Sequence, residues 1–246
     1  MQKRGDEMNT FKRYEKKYIL TKEQKEALEE RIHSHMELDS FCKKNKNYLI
    51  RNIYYDTDDN ELIHMSTNKP IFKEKLRVRK YGTYNDGRDE YFLEIKRKSE
   101  KIVYKRRVTL TKEELDNFIN NGIIPKRDSY LDNQVGKELK YLLNTYSLKP
   151  KVFITYVRVA YFDINDSNFR LTFDDQIYAR RHDLDFDIAS CDISLLPEGY
   201  FLMEVKASQN YPLWFARALS DLKIYPTSFS KYGTEYKLLK LEENKL

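Results

Sequence analysis

Arg77 and Arg79 stand two residues apart in Lys75-Leu76-Arg77-Val78-Arg79, and the same spacing of charge returns in Glu94-Ile95-Lys96, Lys105-Arg106-Arg107 and Glu204-Val205-Lys206. Tyr156 and Arg158 alternate with Val157 and Val159, and Arg170, Thr172 and Asp174 alternate with Phe169, Leu171 and Phe173. In a strand, successive side chains leave on opposite sides, so each segment has one charged and one apolar face. Guanidinium and ammonium groups gathered this way bind phosphate, Arg through a planar fork and Lys as a point charge. The charged face collects Lys17, Arg77, Arg79, Lys96, Lys105, Arg107, Arg158, Arg170, Lys206 and Lys231, ten cations, against Glu15, Glu94 and Glu204. The plain alternative is an ordinary sheet whose charged face meets water. Against it, two like charges about 4 Å apart cost roughly 4 kcal/mol at an effective dielectric near 20, and neighbouring strands bearing them repel unless an anion intervenes.

The elements that would position these side chains read mainly as β. Strands are predicted over Phe11–Leu20, Tyr48–Asp56, Phe72–Tyr81, Tyr91–Lys98, Ile102–Leu110, Val152–Phe162, Phe169–Tyr178 and Tyr200–Ser208, the number a small closed barrel uses. Thr21 with Gln24 and Thr111 with Glu114 match the capping box. Helices are predicted over Lys22–Leu38, Lys112–Asn121, Gln134–Tyr146, Leu213–Ile224 and Ser230–Leu241. The 246 residues contain no repeat and no linker, which predicts a single domain over 1–246.

Composition narrows the partners. The net charge of +6 comes from 45 basic and 39 acidic residues, an excess smaller than the one on the charged face, so location matters more than total. No base-reading motif is present, which argues against nucleic acid. A Walker A sequence is absent, as is any apolar run long enough to span a membrane. Cys42 and Cys191 form no metal or redox pair, and with no apolar leader they point to a reducing cytosol. His33, His35, His64 and His182 read as surface residues, not a zinc site. Asp56 and Asp174 could touch metal or cap strand ends, capping being favoured; Lys43 to Lys46 read as a solvated loop.

Seven segments in order resemble the VTC (vacuolar transporter chaperone) polyphosphate polymerase domain, of the CYTH-like triphosphate tunnel superfamily. They are Tyr14-Glu15-Lys16-Lys17-Tyr18, Ile53-Tyr54-Tyr55-Asp56-Thr57, Leu76-Arg77-Val78-Arg79-Lys80-Tyr81-Gly82, Phe92-Leu93-Glu94-Ile95-Lys96, Phe169-Arg170-Leu171-Thr172-Phe173-Asp174, Leu202-Met203-Glu204-Val205-Lys206 and Phe229-Ser230-Lys231-Tyr232-Gly233. The resemblance implies an α+β fold: an eight-stranded antiparallel closed β-barrel with helices packed outside. It implies a metal-dependent enzyme passing the γ-phosphate of ATP, or of another nucleoside triphosphate, to inorganic polyphosphate. By position, Lys17, Arg77, Arg79, Lys96, Lys105, Arg158 and Arg170 become catalytic. Arg107, Tyr156, Lys206, Ser230 and Lys231 bind substrate, and Glu204 holds Mn²⁺ or Mg²⁺. Relatives that hydrolyse or cyclise carry two glutamates in an ExExK pattern, whereas only Glu15 precedes Lys17 here, which favours the polymerase branch. A triphosphatase and a non-catalytic polyphosphate-binding subunit stay open as alternatives. Replacing Arg77 or Arg170 by Ala is expected to abolish synthesis and to leave the fold intact or even stabilised without ligand. Nucleotide preference, chain length and oligomeric state are not fixed by the sequence.

Overall fold

The structure is a computed structural model that describes residues 14–68, 71–84, 87–99, 102–208 and 210–245. The chain opens with β1 (Tyr14–Thr21), α1 (Lys22–Ile32), β2 (Met36–Leu38), α2 (Ser40–Asn45), β3 (Tyr48–Asp56) and α3 (Glu61–Thr67). Next come β4 (Phe72–Tyr81), β5 (Tyr91–Ser99), β6 (Ile102–Leu110), α4 (Lys112–Asn121) and α5 (Tyr130–Tyr146). It finishes with β7 (Lys149–Asp163), β8 (Arg170–Arg180), β9 (Ile193–Ser194), β10 (Tyr200–Ala207), α6 (Leu213–Asp221), β11 (Pro226–Thr227) and α7 (Lys231–Glu243). Both capping boxes form: Thr21 with Gln24 starts α1, and Thr111 with Glu114 starts α4. The helix expected to reach Leu38 ends at Ile32, and Met36–Leu38 instead pairs with Tyr161–Asp163. The start predicted for the first strand, Phe11, lies outside the described residues.

The strands form one antiparallel sheet of eleven, ordered β11-β1-β10-β8-β7-β3-β4-β5-β6, with β2 on β7 and β9 on β8. Its two ends, β11 and β6, are not paired with each other. This overturns the closed eight-stranded barrel: the sheet is open. Residue alternation identifies strands long enough to show a period, which β2, β9 and β11 are not. Closure depends on ladder hydrogen bonds between the first and last strands, and a side-chain pattern does not encode them. Side chains nonetheless reach between the two ends, with Lys96 Nζ on β5 3.8 Å from Glu15 Oε2 on β1.

The two faces of the sheet differ. Outside, Leu76, Val78, Leu93, Ile95 and Val108 are buried with Leu115 and Phe118 of α4 and Leu139 and Leu142 of α5. Leu171, Phe173, Met203 and Val205 are buried with Leu28 and Ile32 of α1 and Phe215 of α6. A fully buried Val, Leu, Ile or Phe is worth about 1.5–3 kcal/mol, so the outward apolar residues fasten the helices to the sheet. The inner face is mixed rather than wholly polar. Ile50, Val152, Ile154, Ile177, Ala179 and Leu202 pack there with Ile63 of α3 and Tyr232 and Tyr236 of α7. α7 thus lies against an apolar floor and carries its first residue, Lys231, toward the charged remainder of that face. A register shift between β7 and β8 at Thr155/Val157, with Gln176 at φ 50, keeps this division in β8: Asp174 stands on the charged part, and Ile177 and Ala179 join the floor. No helix among the described residues is long and apolar enough to cross a membrane.

Candidate functional site

Pairing register builds the first charged group. Arg77 faces Tyr54 on β3 and Glu94 on β5, Arg79 faces Asn52, and Glu94 faces Arg107 on β6. The Glu94 carboxylate, 2% exposed, accepts from Arg77 through Nε at 2.8 Å and Nη2 at 2.7 Å, and Lys105 Nζ lies 2.7 Å from its other oxygen. Arg77 also donates to the Tyr54 hydroxyl at 3.1 Å. Arg79 donates to Asn52 Oδ1 at 2.9 Å, to the Tyr81 hydroxyl at 3.2 Å and to the Tyr156 hydroxyl at 3.3 Å. Burial alone would raise the Glu94 carboxyl, but Arg77, Arg79 and Lys105 together hold it well below the usual carboxylate range. Burial brings the Lys105 ammonium down to about 8 against the pull of Glu94.

A second group forms where β7, β8, β10 and β1 meet the start of α7. Arg158 faces Asp174 in register and grips it with two bonds, Nε to Oδ1 at 2.6 Å and Nη2 to Oδ2 at 2.7 Å. Lys231 Nζ donates to Asp174 Oδ2 at 2.5 Å and lies 3.8 Å from Glu204 Oε1. Glu204 also meets Lys17 at 3.2 Å and Arg158 at 3.4 Å. Lys17 is anchored from behind by the Phe229 carbonyl at 3.0 Å. Burial would raise both carboxyls, yet the cations around Asp174 and Glu204 depress them, and Lys231 in turn is held above its ordinary value although burial opposes it.

The structure brings Lys17, Arg77, Arg79, Lys105, Arg158, Lys231 and Glu204 into these two groups. Tyr156 joins them, its hydroxyl accepting from Arg79 and its ring 4.2 Å from Lys231 Nζ. Ser230 is the N-cap of α7, its hydroxyl accepting from the Gly233 amide at 3.2 Å and from Lys75 Nζ at 3.0 Å. Lys206 lies two residues beyond Glu204 on the same side of β10, its ammonium lowered by burial. Lys96, Arg107 and Arg170 stand at the rim. Lys96 is 48% exposed, Arg107 lies over the Phe92 ring at 4.9 Å, and Arg170 lies over the Phe162 ring at 4.5 Å while donating to the Ser167 carbonyl.

Sequence reasoning missed Lys75, Asn52 and Tyr54, although alternation already put Lys75 on the side of Arg77. Asp174, favoured as a strand-end cap, is fully buried between Arg158 and Lys231. Asp56 does cap: its carboxylate accepts from the Leu62 and Ile63 amides at the start of α3 and from the Tyr232 hydroxyl, away from both charged groups.

Among the described residues no three His, Cys, Asp or Glu side chains converge into a metal cage. The donors do fit a cation shared with phosphate, since Mg²⁺ takes one or two carboxylates and completes its shell with substrate oxygens and water. Glu204 faces Thr172 in register, and the buried Thr172 hydroxyl has no hydrogen-bond partner, so a second oxygen is available beside the carboxylate.

Residues 12–240 match the model of the VTC domain. The chain belongs to the VTC domain family. In shape this VTC domain is similar to a candidate adenylate cyclase from Bacillus halodurans known from a crystal structure at 2.12 Å. The two share 17% identity over 88% of this chain and 92% of the other, with a TM-score of 0.51, a likeness of fold alone. No curated protein matches by sequence. Family and fold together make the VTC domain a protein of the triphosphate-tunnel class, related to polyphosphate polymerase; its sheet is open among the described residues.

Proposed function

We propose that this VTC domain is a polyphosphate polymerase that moves the γ-phosphate of ATP, or of another nucleoside triphosphate, onto a growing inorganic polyphosphate chain. The observation that carries the reading is the pair of charged groups on the inner face, in which Arg77, Arg79, Lys105, Arg158, Lys231 and Lys17 converge on three buried or mostly buried carboxylates, Glu94, Asp174 and Glu204. Phosphoryl transfer asks little covalent chemistry of a protein, because placing the reactants in line and neutralising the equatorial oxygens supply most of the rate. Arg77 and Arg158, each held by a carboxylate and neighbouring rings, are set to bind phosphoryl oxygens in fixed geometry. Lys105 and Lys231 neutralise charge as it moves. A terminal phosphate oxygen of the bound chain attacks the γ-phosphorus, the bond to the bridging oxygen breaks, and the nucleoside diphosphate leaves with that electron pair. The attacking oxygen is already ionised, so no general base is needed. Mn²⁺ or Mg²⁺ on Glu204, with Thr172 beside it, would draw charge from the phosphate oxygens.

Incubation of the purified protein with ATP and Mn²⁺, gel separation and digestion with an exopolyphosphatase tests the reading. A ladder of long chains that the exopolyphosphatase removes is the expected result. Free phosphate without chains would reassign the site to triphosphate hydrolysis, and tight polyphosphate binding without turnover would make the protein a binding subunit.

A further inference from the structure

Lys75 lies on β4 two residues before Arg77, on the same inner side, and faces Lys96 across the β4–β5 ladder. Its Nζ donates to Ser230 Oγ at 3.0 Å and stands 6.0 Å from the centre of the Tyr232 ring, so it reaches the first turn of α7, a helix of thirteen residues. The four strongest charges that act on it are positive, Lys17 from β1, Lys96 from β5, and Lys73 and Arg77 from its own strand, and the Glu15 carboxylate pairs with Lys17 and Lys96. Lys17, Lys105 and Lys231, by contrast, each meet a carboxylate. A lysine whose strongest charged neighbours are cations, with a hydroxyl as its hydrogen-bond partner, gains too little from the protein to repay the repulsion. An anion at the helix N-terminus would repay it.

We infer that Lys75 is a further phosphate-binding residue of this site, its side chain receiving a terminal phosphoryl group in place of the Ser230 hydroxyl. The inference rests on the phosphate-binding reading above. At Arg77 and Arg158 an incoming phosphate must compete with Glu94 and Asp174; at Lys75 it competes only with a hydroxyl. Burial first, then the four neighbouring cations, bring the Lys75 amine down to about 7 in the free protein. At pH 8 it is therefore mostly neutral, and an arriving phosphate, by supplying the missing negative charge, restores its proton. Binding should thus take up a proton, and as pH rises above 7 the Lys75 contribution to affinity should fall, because protonation becomes costlier.

Isothermal titration calorimetry with tripolyphosphate, metal-free, at pH 8 in buffers of different ionisation heat, measures that proton directly. Wild type should take up about one proton more than Lys75→Met or Lys75→Arg. Lys75→Met should bind about tenfold more weakly at pH 6.5, whereas Lys75→Arg, always charged, should keep its affinity and lose much of the pH dependence. If Lys75→Met fails to fold, the proton count of Lys75→Arg decides. Equal proton counts and affinities in all three proteins would overturn the role of Lys75 while leaving the phosphate site standing. No binding by wild type at millimolar tripolyphosphate would remove the phosphate reading itself.

Discussion

At the scale of single residues, Glu94 explains how so many cations can share one face in the absence of a ligand. It is 2% exposed and takes both Arg77 and Lys105, with Arg79 3.9 Å away. Removing Arg77 therefore does more than delete a phosphate ligand, because a buried charge loses its best partner. Arg77→Ala should weaken tripolyphosphate binding and also cost about 1–3 kcal/mol of stability, contrary to the intact fold expected from sequence. Arg77→Ala/Glu94→Gln should recover much of the stability and none of the binding, as denaturant melts and calorimetry would show. A double mutant no more stable than the single one would sink this account of Glu94. Alternation made the charged face legible, since a period of two is a local property. The partners were less so: Lys231 comes from 57 positions beyond Asp174, and nothing local to Asp174 announces it.

Among the elements, α7 carries the greatest functional load. It brings Ser230 and Lys231 to the site, and one turn beyond Lys231 it is tied down by the fully buried Glu235, which accepts from Arg181 at 2.6 and 2.9 Å. Arg181 also donates to Asn60, just before α3. Arg181→Ala leaves Glu235 buried and unpaired, which should cost about 3–5 kcal/mol. Because α7 would loosen with it, phosphate affinity should fall although Arg181 touches no site residue named above; protease cleavage within 231–243 should rise in parallel. Unchanged affinity in a folded Arg181→Ala protein would show that the helix is held chiefly by its apolar floor. Capping residues announced α1 and α4, whereas β2, β9 and β11, two or three residues each, are too short for any period to reveal. The left-handed Gln176, where the alternation of β8 changes phase, is set by backbone pairing with β7 and leaves no mark in composition.

For the molecule as a whole, the division of labour was readable: outward apolar residues under helices, inward charge over strands. The apolar floor beneath α7 was not, because Ile50, Val152, Ile154 and Leu202 lie on the inner side that the charged residues had led one to expect polar. Nor was the open sheet, whose end strands β6 and β11 have no ladder between them. Across that divide runs the Lys96–Glu15 contact, its members 48% and 31% exposed, and exposed pairs of this kind are worth about 0–1 kcal/mol.

A gutter, unlike a pipe, can be loaded along its length. Among the described residues its lips are joined by side chains, Lys96 to Glu15 and Lys75 to Ser230, and by no strand ladder, so a polymer far longer than the protein need not be threaded end first. Polyphosphate carrying bulky groups at both termini should then bind about as tightly as the free polymer in a competition assay, and a complete block by such stoppers would mean that only chain ends are admitted.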